Sequence, residues 1–218
     1  VPRIEETAKI REKLQQNENG SVLLVFGPPQ HGKPSFLCHI AESLLSQSTP
    51  CLFYPAISLN EGLLKAIQED FCWVTGNNNT IQEVVAKLNT MLETINTRLV
   101  IIIDGWNEML NDALSINEHC KRLQASRIQI ILSATSPSLE RLLKDQTNNP
   151  TYIADALEIS TSKIQNLASE AIFANKKDRI IHIGNFSPAE KAKAIHIYQE
   201  AFNIHLRNNN VLNNPFYL

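Results

Sequence analysis

One segment of the chain combines the residue types and the spacing that bind phosphate. Five apolar residues, 22–26, lead into a loop of the form Gly-x4-Gly-Lys, which begins at Gly27 and reaches Lys33. In such loops successive backbone N–H groups and the start of the next helix point at phosphate oxygens, and the lysine neutralises the outer phosphates. The segment therefore predicts a nucleotide site. Its predicted residues are Gly27, Pro28, Pro29, Gln30, His31, Gly32, Lys33, Pro34 and Ser35.

The residue after the lysine departs from this pattern. Its position normally carries Ser or Thr, whose hydroxyl holds Mg²⁺, and here it is Pro34. Proline has no N–H, so one backbone donor to phosphate is lost, and proline also disfavours the helical conformation of Lys33. In the alternative interpretation Pro34 lies in the first turn of the following helix, where proline is tolerated. Ser35 or water would then serve the metal.

A second segment supplies carboxylates. The apolar residues 99–103 lead directly into Asp104-Gly105, and Glu108 follows. A carboxylate at the end of a buried strand can bind Mg²⁺ directly or through water, and a second one close by can orient or deprotonate an attacking water. We therefore assign metal binding to Asp104 and catalysis to Glu108. In the alternative, Asp104 only caps the turn that Gly105 makes.

The elements that must position these two segments alternate along the chain. Strands are predicted over residues 21–26, 51–57, 98–104, 128–133 and 179–183. Helices are predicted over residues 4–16, 34–46, 61–72, 81–95, 114–123, 138–144, 162–175 and 187–204, with another beginning at 211. Continuous apolar strands between helices indicate an α/β fold, a mostly parallel five-stranded sheet in a three-layer α/β/α arrangement. The phosphate loop then lies at the carboxyl edge of the sheet, where ligands bind.

The composition is that of an ordinary globular protein. The 218 residues, with a formal net charge of −2, allow one domain with a full core or one domain with a small appendage. The charge gives no reason to expect nucleic acid or an anionic membrane as a main partner. No apolar run approaches the roughly 18 residues of a membrane span. The four cysteines have no Cys-x-x-Cys spacing, which is typical of free thiols in a reduced cytosol.

The sequence begins Val-Pro-Arg, without methionine or a signal peptide. This beginning is typical of a segment of a longer protein, or of a processed chain.

The two segments together resemble the NACHT branch of the STAND signalling ATPases, which are P-loop NTPases. That family continues its phosphate loop with an apolar strand and then Asp-Gly-hydrophobic-Asp-Glu, and residues 104–108 match this pattern except at Asn107. Three weaker similarities support the resemblance. Residues 1–3 resemble a segment near the adenine, residues 133–137 resemble the sensor strand, and Pro215 resembles a proline that packs against the base.

The resemblance implies a regulatory switch of signalling or innate immunity rather than a metabolic enzyme, with ATP, ADP and Mg²⁺ as cofactors. ADP would hold a closed monomer, and exchange for ATP would allow homo-oligomerisation and activate an effector. It also implies a cytoplasmic protein with flanking effector and sensor domains. Residues 1–186 would form the nucleotide-binding domain, and residues 187–218 the start of a helical domain.

Several departures from the family pattern concern hydrolysis. Besides Pro34, Gln30 stands where relatives often have glycine, and Asn107 replaces a carboxylate and cannot act as a base. The sensor strand lacks its arginine, unless Arg141 or Arg127 substitutes from nearby. Together these changes predict nucleotide binding with weak or absent hydrolysis.

Two alternatives stay open. The chain can be a catalytically inactive pseudo-NTPase that serves as an interaction scaffold. It can also be an AAA-type ATPase that remodels DNA or protein. AAA-type proteins usually have adjacent Asp and Glu after the third strand, whereas Gly105 follows Asp104 here.

Overall fold

The computed structural model describes residues 3–16, 20–76, 79–108, 113–159, 179–203, 205 and 210–215. Within them, five strands form one sheet in the order β2-β3-β4-β1-β5, and every pairing is parallel. The strands are β1 (Val22–Gly27), β2 (Cys51–Pro55), β3 (Leu99–Asp104), β4 (Ile128–Thr135) and β5 (Ile180–His182). The predicted parallel five-stranded sheet is confirmed.

Helices connect and cover these strands. In the described residues they are α1 (Ile4–Gln15), α2 (Lys33–Ser46), α3 (Leu63–Thr75), α4 (Ile81–Thr94), α5 (Ala113–Leu123), α6 (Leu139–Leu143), α7 (Tyr152–Ala156) and α8 (Pro188–Phe202). Short 3-10 turns occupy Ala56–Ser58, Trp106–Glu108, Ser136–Ser138 and Asn210–Asn213. None of the helices in the described ranges has the length and apolar character that crossing a membrane would require.

The sheet has an apolar core on each face, because successive side chains of a strand point to opposite sides. On one face Leu23, Val25 and Ile102 pack with apolar residues of α1 and α2. On the other face Leu24 and Ile101 pack with α3, α4, α5, α6 and α7. A continuous apolar strand sequence is therefore buried on both sides, and the three-layer α/β/α arrangement is confirmed.

Strand register places the two predicted segments at one edge. Gly27, at the end of β1, pairs with Thr135 of β4, and Asp104, at the end of β3, pairs with Pro55. Since β4 lies between β1 and β3, the phosphate loop and the acidic segment both leave the sheet beside the end of β4.

Local signals in the sequence account for several helix boundaries. Thr80 and Glu83 form the capping box that begins α4, and Ser187 and Glu190 form the one that begins α8. Other boundaries differ from the sequence prediction. Residues 56–57 form a 3-10 turn instead of extending β2, and α7 was not predicted. The helix predicted over 162–175 lies outside the described residues.

Candidate functional site

The phosphate loop turns directly into α2. Gly32 adopts a left-handed conformation with φ of +80° and caps the helix, and Phe36 N–H donates to the Gly32 carbonyl over 3.0 Å. Lys33 is the first helical residue and Pro34 the second. The N–H groups of a first helical turn have no intrahelical acceptor, so proline there breaks no helix bond. Lys33 is helical in spite of the bias that Pro34 imposes, and the tolerated-proline alternative is confirmed.

The lysine side chain folds back over the loop. The Lys33 Nζ donates to the carbonyl oxygens of Gly27 and Pro28, over 3.0 and 2.7 Å. The residue is buried, and burial lowers the pKa of its ammonium, while the nearby Asp104 carboxylate opposes this shift. The predicted phosphate-binding lysine and the predicted metal-binding carboxylate therefore lie within electrostatic reach of each other.

A serine on the neighbouring strand orients the Asp104 carboxylate. The Ser133 hydroxyl donates to Asp104 Oδ1 over 2.6 Å and accepts the Gly105 N–H over 2.7 Å. Ser133 is fully buried near the end of β4. Sequence reasoning assigned it only to the sensor strand. A hydroxyl residue at the end of the strand predicted over 128–133, beside an acidic strand end, is the signal that could have identified this contact.

The other residues of the acidic segment lie in the 3-10 turn. Asn107 Oδ1 accepts the Thr135 N–H over 3.2 Å, which links the turn to the end of β4. Glu108 is exposed, and its carboxylate bends over Gly105: a Cβ built on that glycine would lie 3.2 Å from Glu108 Cδ. Glu108 is therefore close to the turn that carries Asp104, while Asn107 holds the turn in place.

Beside the loop lies a cavity of about 130 Å³ whose walls are partly aromatic and apolar and partly polar. Its lining includes Arg3, His31, Gly32, Phe186, Tyr198 and Pro215. A Cβ added at Gly32 would lie 3.6 Å from the Pro215 Cβ, so the C-terminal proline is adjacent to the phosphate loop. The structure thus brings together Arg3, the loop and Pro215. Val1 and Pro2 lie outside the described residues.

Arg3 is anchored rather than open to a ligand. Its guanidinium donates to the carbonyl oxygens of Gly184 and Asn185 over 2.7 and 2.9 Å, and it pairs with Glu190 over 3.2 Å. It also stacks 4.6 Å above the Phe186 ring. These contacts fasten the N-terminal segment to the start of α8 and form one wall of the cavity.

The two arginines considered as sensor substitutes lie in different places. The Arg141 guanidinium is 6.0 Å from the centroid of the buried Trp106 ring, next to the acidic turn. Arg127 precedes β4 and lies at the opposite edge of the sheet. The whole length of β4 separates Arg127 from the acidic turn. Arg127 therefore cannot substitute for the sensor arginine, and that expectation is wrong.

No protein-family model matches the sequence, and no curated relative matches it. The structure is similar to the ORC2 protein of Aeropyrum pernix in its ADPNP-ADP complexes, with a TM-score of 0.55 and 15% identity over 92% of this chain and 52% of that one. It is also similar to Cdc6p of Pyrobaculum aerophilum, with a TM-score of 0.53 and 11% identity over 91% and 49%. The chain has the P-loop NTPase fold.

This likeness concerns the fold alone, since the sequences are so different. The chain spans about half the length of these two solved proteins. A P-loop NTPase fold places its ligand beyond the carboxyl ends of the strands, which is the edge where the loop, Asp104 and the Arg3-lined cavity meet.

The residues around the phosphate loop fit a Mg²⁺ ion in part. The described residues contain no group of three His, Cys, Asp or Glu side chains that could hold a metal ion. Mg²⁺ at nucleotide sites usually takes one or two carboxylates, with phosphate and water oxygens completing the octahedron, and Asp104 fits that need. Pro34 supplies no oxygen. Ser35 follows it on α2, where the next side chain points roughly 100° away, and it lines the Arg3 cavity instead.

A strained residue occupies the phosphate loop. Gln30 has φ of +63°, and the adjacent His31 Nδ1–H donates to the Pro29 carbonyl over 2.8 Å. Replacing Gln30 with glycine is expected to raise the free energy of unfolding by about 0.5–1 kcal/mol, because glycine adopts this conformation without strain. Urea denaturation measures the change. Gln47→Gly, at φ of −95° after α2, is the control and should lower stability; a loss at both positions would contradict the prediction.

Proposed function

We propose that the chain is a nucleotide-binding switch domain that binds ATP and ADP and hydrolyses ATP weakly or not at all. The observation that carries this proposal is the convergence of the Lys33 ammonium and the Asp104 carboxylate beside a loop that leads into a helix. One similar structure is that of the ORC2 protein in ADPNP-ADP complexes, which supports a nucleotide as the ligand.

Each predicted residue has a proposed role. The loop N–H groups and Lys33 bind the phosphates, once Lys33 leaves the carbonyl oxygens of Gly27 and Pro28. Asp104 holds Mg²⁺, which neutralises phosphate charge when bound, and Glu108 positions water. Pro215, with the aromatic lining of the adjacent cavity, contacts the base.

Weak hydrolysis is proposed from the same geometry. Pro34 withholds the hydroxyl that normally completes the metal site. Asn107 cannot accept a proton, and its amide oxygen is used by the Thr135 N–H. Binding depends less on these groups, because charge-assisted contacts from Lys33 and backbone N–H groups supply most of the phosphate affinity.

Two affiliations compete beyond this. The NACHT/STAND proposal comes from residues 104–108 and Pro215, and it adds flanking effector and sensor domains, oligomerisation in the cytoplasm, and the boundary between 186 and 187. The AAA-type remodelling proposal is supported equally well, since ORC2 and Cdc6p are among the similar structures. ATP-dependent self-association without DNA favours the first, and ATP-dependent binding of duplex DNA favours the second.

A calorimetric titration with ATP and ADP, with and without Mg²⁺, tests the proposal. We expect both nucleotides to bind, with only a small gain from Mg²⁺ because Pro34 lacks a metal ligand. If neither nucleotide binds below a concentration of roughly millimolar (about −4 kcal/mol), the switch is excluded and the inactive scaffold is the better explanation.

Replacing Pro34 with threonine should make binding depend on Mg²⁺. The added hydroxyl supplies the missing ligand, and we expect ATP affinity with Mg²⁺ to rise by roughly tenfold, the effect of about one charge-assisted contact. The measurement is the ratio of ATP dissociation constants with and without Mg²⁺. Pro34→Ala removes the ring without adding an oxygen and should leave that ratio unchanged. An equal response of both variants would mean that the ring, not the missing hydroxyl, limits the site.

A further inference from the structure

A second cavity lies at the amino-terminal edge of the sheet, opposite the phosphate loop. Its volume is about 380 Å³, and three arginines line it: Arg11 on α1, Arg98 just before β3 and Arg127 just before β4. Six residues of strand separate Arg98 from the turn after Asp104, which is about 20 Å at the usual rise of a strand. The cavity is therefore separate from the nucleotide site proposed above.

The lining of this cavity has one sign of charge. None of its described lining residues is acidic, and the uncharged ones include amide and hydroxyl groups of Gln47, Thr49, Asn96, Thr97 and Gln129. The chain as a whole carries a net charge of −2. A concentration of three guanidinium groups therefore runs against the overall charge and creates a local positive potential.

Two of the arginines repel each other. Burial lowers the pKa of the Arg98 guanidinium, and the charge of Arg127 lowers it further. The Arg127 Nε lies 3.8 Å from Glu93 Oε1, but the Glu93 side chain is 62% exposed and lies outside the cavity lining. At the rim, the Arg11 Nε and Nη2 both donate to Ser43 Oγ, over 3.2 and 2.6 Å. An anion between these groups would relieve the repulsion.

The competing explanation is structural. α1, α2 and α4 all end beside this cavity, and cations stabilise the negative ends of helices. However, backbone groups already cap these ends: Gln16 N–H donates to the Lys13 carbonyl over 3.2 Å, and Thr49 and Thr97 N–H donate to the Leu44 and Leu92 carbonyls, both over 2.9 Å. Helix capping therefore leaves the clustering of guanidiniums around an open cavity unexplained.

We propose that this cavity binds a small phosphate-bearing anion, held between Arg98 and Arg127 with Arg11 at the rim. The planar fork of a guanidinium matches two phosphate oxygens, and charge-assisted bonds of this kind are the strong ones. The amide and hydroxyl groups of the lining supply further donors around the anion. The cavity would then hold a second phosphate ligand, at the edge of the sheet opposite the nucleotide.

Isothermal titration of pyrophosphate into the Lys33→Ala chain, at fixed ionic strength, tests this proposal without the phosphate loop. We expect one site, and we expect Arg98→Gln combined with Arg127→Gln to weaken it by roughly tenfold or more. The matched control combines Lys121→Gln with Arg122→Gln, which removes the same charge from exposed positions on α5. This control should leave the affinity unchanged.

Absence of pyrophosphate binding to the Lys33→Ala chain would overturn the proposal, as would an equal loss in both double variants. A denaturation curve checks that the arginine variant folds. If it does not, Arg98→Lys with Arg127→Lys replaces it, because lysine keeps the charge and loses the fork. A weaker site in that variant supports the proposal, and an unchanged one contradicts it. Since Lys33 is absent throughout, this outcome does not depend on whether the loop binds nucleotide.

Discussion

Replacing Lys33 with alanine is expected to weaken the binding of both ATP and ADP by roughly 100-fold, since two lost charge-assisted contacts are each worth about 1.5 kcal/mol or more. The Lys33 ammonium is buried beside the phosphate loop, and Asp104 lies within its electrostatic reach. Its present acceptors, the carbonyl oxygens of Gly27 and Pro28, belong to the backbone of the loop itself. Phosphate oxygens can therefore replace them without disrupting a helix or a strand.

Isothermal titration with each nucleotide measures this effect, and urea denaturation of the nucleotide-free chain accompanies it. Stability should change little, because the variant removes a desolvated charge together with its two hydrogen bonds. Lys65→Ala is the control: that lysine pairs with Glu69 on the surface of α3, and its loss should leave both affinities unaltered. If Lys33→Ala bound nucleotide as tightly as the original chain, the loop would not be the phosphate site.

The sheet was predictable because each of its signals is local. A continuous apolar run followed by glycine or aspartate predicts a buried parallel strand and its end, and β1 and β3 end at Gly27 and Asp104 accordingly. The capping boxes at Thr80 and Ser187 likewise involve residues only three positions apart. The loop, the acidic segment and the five parallel strands thus followed from local patterns, whereas the strand order was not predicted.

Contacts between distant segments were not predictable in the same way. Ser133 and Asp104 are 29 residues apart, and Arg3 and Gly184 are 181 apart. Such pairs depend on strand order and register, which place the end of β4 between the loop and the acidic segment. The error about Arg127 has a different origin: this residue precedes the strand predicted over 128–133, so the predicted parallel sheet already placed it at the amino end of that strand, away from the loop.

Pro34 illustrates a signal whose local meaning was ambiguous. As a residue after the phosphate-loop lysine it removes a metal ligand, and as the second residue of α2 it is well tolerated. The structure shows that α2 accommodates Pro34 as its second residue. The loss of a metal ligand follows from the chemistry of proline, which has no hydroxyl. A loop can therefore retain its shape while losing part of its metal site, which fits a domain that binds nucleotide better than it hydrolyses it.

Gly27 is a position where a substitution is expected to cost much stability. Replacing it with alanine is expected to lower the free energy of unfolding by about 3 kcal/mol or more, the upper range for overpacking a buried site. A Cβ there would lie 2.1 Å from the Ile183 carbonyl oxygen and 3.0 Å from its carbon, so backbone would have to move. The Ile183 N–H donates to the Phe26 carbonyl over 2.7 Å, which holds the two segments together.

Urea denaturation without nucleotide distinguishes two reasons for this glycine. If Gly27 served only to let the backbone approach a phosphate, the nucleotide-free chain would tolerate alanine. If it serves the close approach to Ile183, the loss appears with no ligand present. Gly184→Ala is the matched control, because its Cβ would meet only the His182 ring at 3.2 Å, and it should cost less than about 1 kcal/mol. Equal stability of Gly27→Ala and the original chain would contradict the packing role, because a Cβ 2.1 Å from the Ile183 carbonyl oxygen requires the backbone to move.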